Sequence, residues 1–171
     1  MQRILIAGIS GAGKPTLAGV LAERLGIPRR ELDALHHGPG WVKRPEFEVE
    51  VEGFTAGPRW VTEDQYRRWL GDLLWTRADT VVWLDLPKRT VMRRVLWRSF
   101  TRAITGRELW NGNRESFRNW PARDHPIRWA WDQYEARRLR TEELIARFPE
   151  VTVVHLTSAA DARRWVRGLG S

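Results

Sequence analysis

Gly8-Ile9-Ser10-Gly11-Ala12-Gly13-Lys14-Pro15-Thr16 constrains this chain more than any other stretch. Arg3-Ile4-Leu5-Ile6-Ala7 before it reads as a short buried strand. Leu17, Val20, Leu21 and Leu25 after it fall at helical spacing, and Gly26 and Pro28 stop that helix. A glycine-rich turn between a strand and a helix lets successive N–H groups point into one concavity. The helix N-terminus adds partial positive charge and Lys14 adds a full one. Together they form a cradle for a polyphosphate.

Pro15 breaks the usual pattern, which has Ser or Thr after the lysine with its hydroxyl on Mg2+. Proline suits the first turn of a helix, so the fold tolerates it. The chemistry loses one metal ligand and one phosphate donor. Thr16 stands one residue late and reaches a metal only if the turn rearranges. A second reading is a dinucleotide fold, since Gly8-x-Ser10-x-x-Gly13 is one substitution from that fingerprint and Asp33 lies where a ribose-binding acid belongs. Ser10 crowds a pyrophosphate in that reading and Lys14 has no role, so the mononucleotide loop is preferred.

The 171 residues suit one domain, 1–171, with a real core. There is no cysteine, which excludes a disulfide framework and fits the cytoplasm. The first strand begins almost at Met1, and no apolar run is long enough for a membrane span, so neither a signal peptide nor membrane association is expected. A formal charge of +8 points to polyanionic partners. No nucleic-acid motif accompanies it, and nucleotides are preferred over nucleic acid. Lys14, Lys43 and Lys88 are the only lysines; the other cations are arginines. The eleven tryptophans are expected mostly in the core or under a lid.

Strands and helices alternate along the chain, which predicts an α/β fold with a parallel sheet covered on both faces. Glu31 to Leu35 reads as the second strand, and His36-His37-Gly38-Pro39-Gly40-Trp41 as a loop. Residues 46–56 fit either period and are taken as helix. Arg59 to Thr62 is a third strand, and Tyr66, Trp69, Leu70, Leu73 and Leu74 an amphipathic helix. Thr80 to Leu86 is a fourth strand, followed by an arginine-rich helix to about residue 102. Residues 127–148 read as a long helix and Val151 to Leu156 as a fifth strand. Ser158-Ala159-Ala160-Asp161 resembles a capping box at the start of the last helix.

Five blocks together resemble the adenylate-kinase-related P-loop proteins known as topology modulation proteins. They are the loop, Leu32-Asp33-Ala34-Leu35 with Pro39-Gly40-Trp41, Val82-Trp83-Leu84-Asp85-Leu86-Pro87, Asn111-Gly112-Asn113-Arg114-Glu115, and Trp129-Ala130-Trp131. The resemblance implies a P-loop NTPase fold in three α/β/α layers. It implies a five-stranded parallel sheet of order 2-3-1-4-5 and a helical lid at about 99–126 that closes over ATP. ATP phosphates would then lie on Gly8, Gly11, Ala12, Gly13, Lys14, Pro15 and Thr16. Mg2+ would be held by Thr16 and, through water, by Glu63 at the end of the third strand. The family more often has aspartate there, and the other reading of Glu63 is a helix N-terminal acid. Arg94 and Arg98 resemble the arginine pair that opens the lid; at four-residue spacing they share a helical face.

Lid arginines would neutralise charge on the transferred phosphoryl group. Arg114, Arg118, Arg123 and Arg128 are candidates, with Arg114 and Arg123 chosen. Asp33, at the carboxyl edge of the second strand, would orient the acceptor and take its proton; the alternative is a turn cap. Adjacent His36 and His37 point in different directions on most backbones, which argues against a two-histidine metal site. Trp41 either walls an acceptor pocket or packs under a lid. The expected function is phosphoryl transfer from ATP, with Lys14, Asp33, Arg114 and Arg123 catalytic, to a nucleotide or small metabolite. The rival is a degenerate nucleotide-binding regulator. The chain would act as a monomer or homodimer.

Overall fold

The computed structural model describes residues 1–105 and 126–169; of residues 102–105, 126, 127, 129 and 130 it describes the backbone alone. The chain runs β1 (Arg3–Gly8), α1 (Lys14–Leu25), α2 (Leu32–His36), α3 (Phe47–Thr55), β2 (Trp60–Glu63), α4 (Arg67–Leu70), α5 (Leu73–Arg77) and β3 (Thr80–Leu84). It continues through α6 (Lys88–Thr105), α7 (Pro126–Arg147), β4 (Thr152–Leu156) and α8 (Ala159–Gly168). All the strand pairs are parallel, and the sheet order is β2-β1-β3-β4.

Strand β1 shows why both sheet faces are covered. Its side chains alternate, and neither face is polar. Ile4 and Ile6 pack with Leu17, Ala18 and Leu21 of α1 and Val91 and Val95 of α6. Leu5 and Ala7 point the other way, to Phe47 and Val51 of α3, Leu74 and Trp75 of α5, and Leu144 of α7. Each such aliphatic side chain contributes about 1.5–3 kcal/mol when fully enclosed. The sheet is thus the middle of three layers.

Among the described residues the sheet has four strands where five were expected, and the order 2-3-1-4-5 is corrected accordingly. Of the expected strand 31–35, all but the N-cap Glu31 lies in α2, a helical turn that buries Leu32 and His36 at i,i+4 spacing. The chain still passes along the outer edge of β2, but only through one bridge, Arg29 to Val61. Arg30 N–H donates to Val61 O and Val61 N–H to Pro28 O, each at 3.0 Å. Pro28 has no N–H to donate. After Arg30 the chain turns inward to bury Leu32, so the ladder ends.

Two helices differ from their predicted bounds. The helix expected around residues 66–74 is split into α4 and α5 at Gly71, whose φ of 53° belongs to the left-handed region. The arginine-rich helix continues to Thr105, so the first part of the expected lid is α6 itself. The helix chosen for residues 46–56 is α3, and Asp161 N–H donates to Ser158 Oγ at 3.1 Å to cap α8.

Two loop glycines test how tightly α6 seats on the β1–α1 turn. A Cβ at Gly11 meets Val95 Cγ2 at 2.4 Å and Val91 O at 3.1 Å, with φ at +89°. One at Gly26 meets nothing within 4 Å, with φ at +61°. Gly11→Ala is expected to cost about 2–3 kcal/mol in urea unfolding, and Gly26→Ala about 1 kcal/mol. Equal losses for the two contradict the close seating of α6.

Candidate nucleotide and acceptor site

The β1–α1 turn is built around one enclosed cation. Gly8, Gly11 and Gly13 have φ of 140°, 89° and 102°, conformations that exclude a side chain at little-strained geometry. Ala12 N–H donates to Ile9 O and Leu17 N–H to Gly13 O, both at 3.1 Å, so the helical ladder starts at Gly13. Pro15 sits in the first turn, where no helical bond is lost. Thr16 follows it and is exposed. Lys14 is only 5% exposed, and its Nζ donates to Gly8 O at 2.8 Å and Ile9 O at 3.3 Å. The ammonium therefore reaches back across the turn to its start. Burial foremost, then Arg137, pushes its pKa down to about 8, against the upward pull of Glu63, Asp64 and Asp33.

Arg94 and Arg98 come to the same turn from α6. Arg94 Nη1 donates to Ala12 O at 2.9 Å and Arg98 Nη2 to Ser10 Oγ at 3.2 Å. Their shared face, predicted from spacing, lies against the loop. Arg114, Arg118 and Arg123 fall outside the described residues. Arg128 is exposed and pairs with Asp132 one turn on, at 3.8 Å.

The acids at the end of β2 are each held by an arginine. Glu63 is fully enclosed, and its Oε1 accepts from Arg29 Nη2 at 3.3 Å. This end-on contact leaves Glu63 Oε2 and Arg29 Nε enclosed without a partner. Burial pushes the Glu63 carboxyl upward, more than Arg29 and Lys14 hold it down. Arg137 Nη2 donates to Asp64 O at 2.5 Å and to Asp64 Oδ2 at 2.8 Å. Sequence reasoning missed Arg137. Its signal was its place on the inward stripe of α7, four residues before buried Thr141 and seven before buried Leu144.

Asp33 lies in the first turn of α2 and not at a strand end, a correction that follows from the lost edge strand. Its Oδ1 accepts from Tyr66 Oη at 2.5 Å. Tyr66 Oη is also 2.9 Å from His37 Nε2, and its ring stacks on His36 at 4.0 Å. Tyr66 was expected merely as one residue of a helix face. Burial, then the charge of Asp33, drives its phenol well above the usual tyrosine range, so it stays protonated. The adjacent histidines were expected to diverge. Instead their Nδ1 atoms come within 3.4 Å with the rings edge to face. The cause is His37, which ends α2 in an extended conformation and turns its ring back. Trp41 meets His37 edge-on at 5.1 Å.

Mg2+ binding wants near-octahedral oxygens, commonly one or two carboxylates with phosphates and water. The donor set is depleted but not empty: Pro15 brings no side-chain oxygen, Glu63 Oε1 is on Arg29 and Asp64 Oδ2 on Arg137, while Glu63 Oε2 is enclosed without a partner and Thr16 is exposed in the first turn of α1. Among the described residues no three His, Cys, Asp or Glu side chains are grouped to hold a metal.

The parallel sheet, the glycine-rich first turn and the helices on both faces make an α/β fold that this chain shares with solved kinases. Solved structures with this fold include shikimate kinase from Acinetobacter baumannii in complex with shikimate, at 18% identity and a TM-score of 0.60. That match covers 98% of this chain and 89% of that one. Shikimate kinase from Aquifex aeolicus is 15% identical with a TM-score of 0.54, covering 96% of this chain and 91% of that one. The enzyme from Bacteroides thetaiotaomicron is 15% identical with a TM-score of 0.52, covering 97% and 94%. No protein-family model and no curated protein matches the chain. Among the described residues no helix is long and apolar enough to cross a membrane.

The depressed Lys14 pKa has a thermodynamic consequence. Its folded value of about 8 lies below the ordinary 10.5, so the unfolded chain holds more protons between them. Lys14 therefore makes stability rise as pH climbs from about 8 to 10.5. A bound polyphosphate favours the charged form. Calorimetry of ADP binding at pH 8 in buffers of different ionisation heat should show uptake of about half a proton. No uptake contradicts an enclosed, half-neutral lysine.

Proposed function

We propose that the chain is a small P-loop phosphotransferase that moves a phosphoryl group from ATP to the hydroxyl or phosphate of a small acceptor. The observation that carries this reading is the convergence of Lys14, Arg94 and Arg98 on one glycine-rich turn, with Asp33 among the acids near Lys14. The polyphosphate would displace the loop carbonyls as partner of Lys14, which would then bridge the β- and γ-phosphates. Arg94 and Arg98 would leave Ala12 O and Ser10 Oγ for phosphate or base. Such positioning and charge neutralisation supply most of the catalysis in phosphoryl transfer. Arg114 and Arg123 are proposed to arrive with the lid.

Asp33 Oδ2 would accept the proton of an acceptor hydroxyl as that oxygen bonds to the γ-phosphorus and the bond to ADP breaks. The short stretch 42–58 leaves a small acceptor site, which favours a nucleotide or small metabolite over a protein. The shikimate complex of the Acinetobacter neighbour supports a hydroxylated metabolite as the first acceptor to assay. The family resemblance brings Mg2+ with the ATP, with Thr16 and Glu63 as the proposed protein oxygens. No step above depends on it. The topology modulation subgroup is proposed on the sequence blocks alone, as is a cytoplasmic monomer or homodimer. A degenerate nucleotide-binding regulator is the second reading, favoured by Pro15 and by the engagement of Glu63 with Arg29. Single-turnover assays with ATP, Mg2+ and a panel of acceptors separate the two.

Lys14→Ala should abolish ATP binding, and micromolar affinity retained in that variant ends the phosphate assignment. Pro15→Ser restores the missing hydroxyl. Wild-type affinity for ATP is expected to change by no more than about threefold between Mg2+ and EDTA, and that of Pro15→Ser by about tenfold or more. Strong Mg2+ dependence in the wild type shows that the metal is held some other way.

A further inference from the structure

Two non-glycine residues among those described have a left-handed backbone, Trp41 at φ 63° and Tyr66 at φ 58°. Bulky side chains rarely adopt it, and the cost is of order 1–2 kcal/mol each. Both belong to one ring of side chains. Trp41 touches His37, and Tyr66 stacks on His36 and bonds to Asp33 and His37. Phe47 and Trp69 close round Tyr66, with ring centroids at 5.3 and 5.9 Å. Strain of this kind persists where surrounding contacts over-determine it.

With Asp33 as a carboxylate and both histidines neutral, the hydrogen bonds among these side chains admit one arrangement of protons. Tyr66 has a single phenolic hydrogen, and its 2.5 Å partner Asp33 can only accept. His37 must then donate from Nε2 to Tyr66 Oη. Its Nδ1 is left as an acceptor facing His36 Nδ1 at 3.4 Å, so the proton between them sits on His36. The same assignment leaves His36 Nε2 unprotonated, and that atom is the enclosed one without a partner. A bare lone pair is the less costly group to leave there, since an N–H would forgo a donor bond. Burial, with His37 and Lys43 adding to it, pushes the His36 pKa down, which keeps that ring neutral. Every hydrogen in the series His36, His37, Tyr66 therefore points toward Asp33, and bonds so aligned polarise one another.

We propose that Tyr66 is the positioning residue of the acceptor side, the last link of a directed chain from His36 through His37 that pins Asp33 by Oδ1 and presents Oδ2 to the group to be phosphorylated. This deepens the reading of Asp33 given above and rests on it. The left-handed backbone at Tyr66 aims the ring across α2, where no right-handed continuation of α4 is needed. Trp41, also left-handed, meets the His37 ring edge to face at 5.1 Å. Tyr66 itself need not touch the acceptor. Its effect on transfer passes through Asp33, and so disappears when Asp33 can no longer take a proton.

The test compares wild type, Tyr66→Phe, Asp33→Asn and the double variant, using ATP turnover with water as the probe acceptor and binding of a fluorescent ADP analogue. Tyr66→Phe is expected to lower turnover by about tenfold while ADP affinity stays within about twofold. In the Asp33→Asn background the same change should alter turnover by less than about twofold, because the two residues act as one unit. Full additivity of the two losses, or a Tyr66→Phe turnover within twofold of wild type, overturns the proposal. A second measurement needs no variant: long-range 1H–15N correlation spectra of the histidines in the wild-type chain. They should show His37 protonated on Nε2 and His36 on Nδ1. His37 protonated on Nδ1 alone overturns the chain whatever the turnover. Failure of the wild type to bind ADP would instead remove the functional reading while leaving the spectroscopic result to stand or fall independently.

Discussion

One ammonium group, folded back over a turn of glycines, is the contact on which the rest of this molecule depends. Lys14 is enclosed by protein, yet among the described residues only backbone carbonyl oxygens accept its hydrogens. Burying a cation with neutral partners is unfavourable. The neighbourhood offsets it at longer range: Asp33, Glu63 and Asp64 all favour the charged form. The turn must also bend tightly enough for Gly8 O and Ile9 O to face the side chain, which the left-handed glycines allow. Helix α6 can then seat Val91 and Val95 against Gly11 and bring Arg94 and Arg98 with them.

The same cation explains the arrangement of the acids. Carboxylates gathered around one lysine repel one another, and each is engaged by a different donor. Arg29 takes Glu63, Arg137 takes Asp64, and the neutral phenol of Tyr66 takes Asp33. Two of the three are thereby matched charge for charge. Asp33 alone of the three is met by an uncharged donor, the Tyr66 hydroxyl.

The proposed nucleotide half was legible in the sequence and the proposed acceptor half much less so. The β1–α1 turn, the Arg94 and Arg98 face, and the helix over Phe47–Thr55 follow from short-range patterns: glycine spacing, i,i+4 repeats, alternating apolar residues. Asp33 was picked out for the wrong structural reason. A five-residue run, Glu31 to Leu35, has no period long enough to separate strand from helix. The choice was made by tertiary packing, which buries Leu32 and His36 together. Tyr66 looked like one more apolar residue on a helix, because a left-handed backbone leaves no mark in sequence unless glycine or asparagine supplies it. Arg137 was hidden for the opposite reason. On an arginine-rich helix, one inward-facing guanidinium resembles its exposed neighbours.

The single bridge at Arg29 has a further consequence. Where a complete edge strand would be welded into the sheet by a ladder, the segment from Pro28 to Lys43 has one backbone bridge to β2, with side-chain contacts from Arg29 to Glu63 and from Thr62 to Arg30 O beside it. Its shape is set by its own turn, by α3 and by the aromatic ring around Tyr66. The register of β1 with β3 is set without that segment, so exchanges at its exposed positions, such as Pro39 and Gly40, leave the central ladder intact. The fold is modular at the scale of one missing ladder.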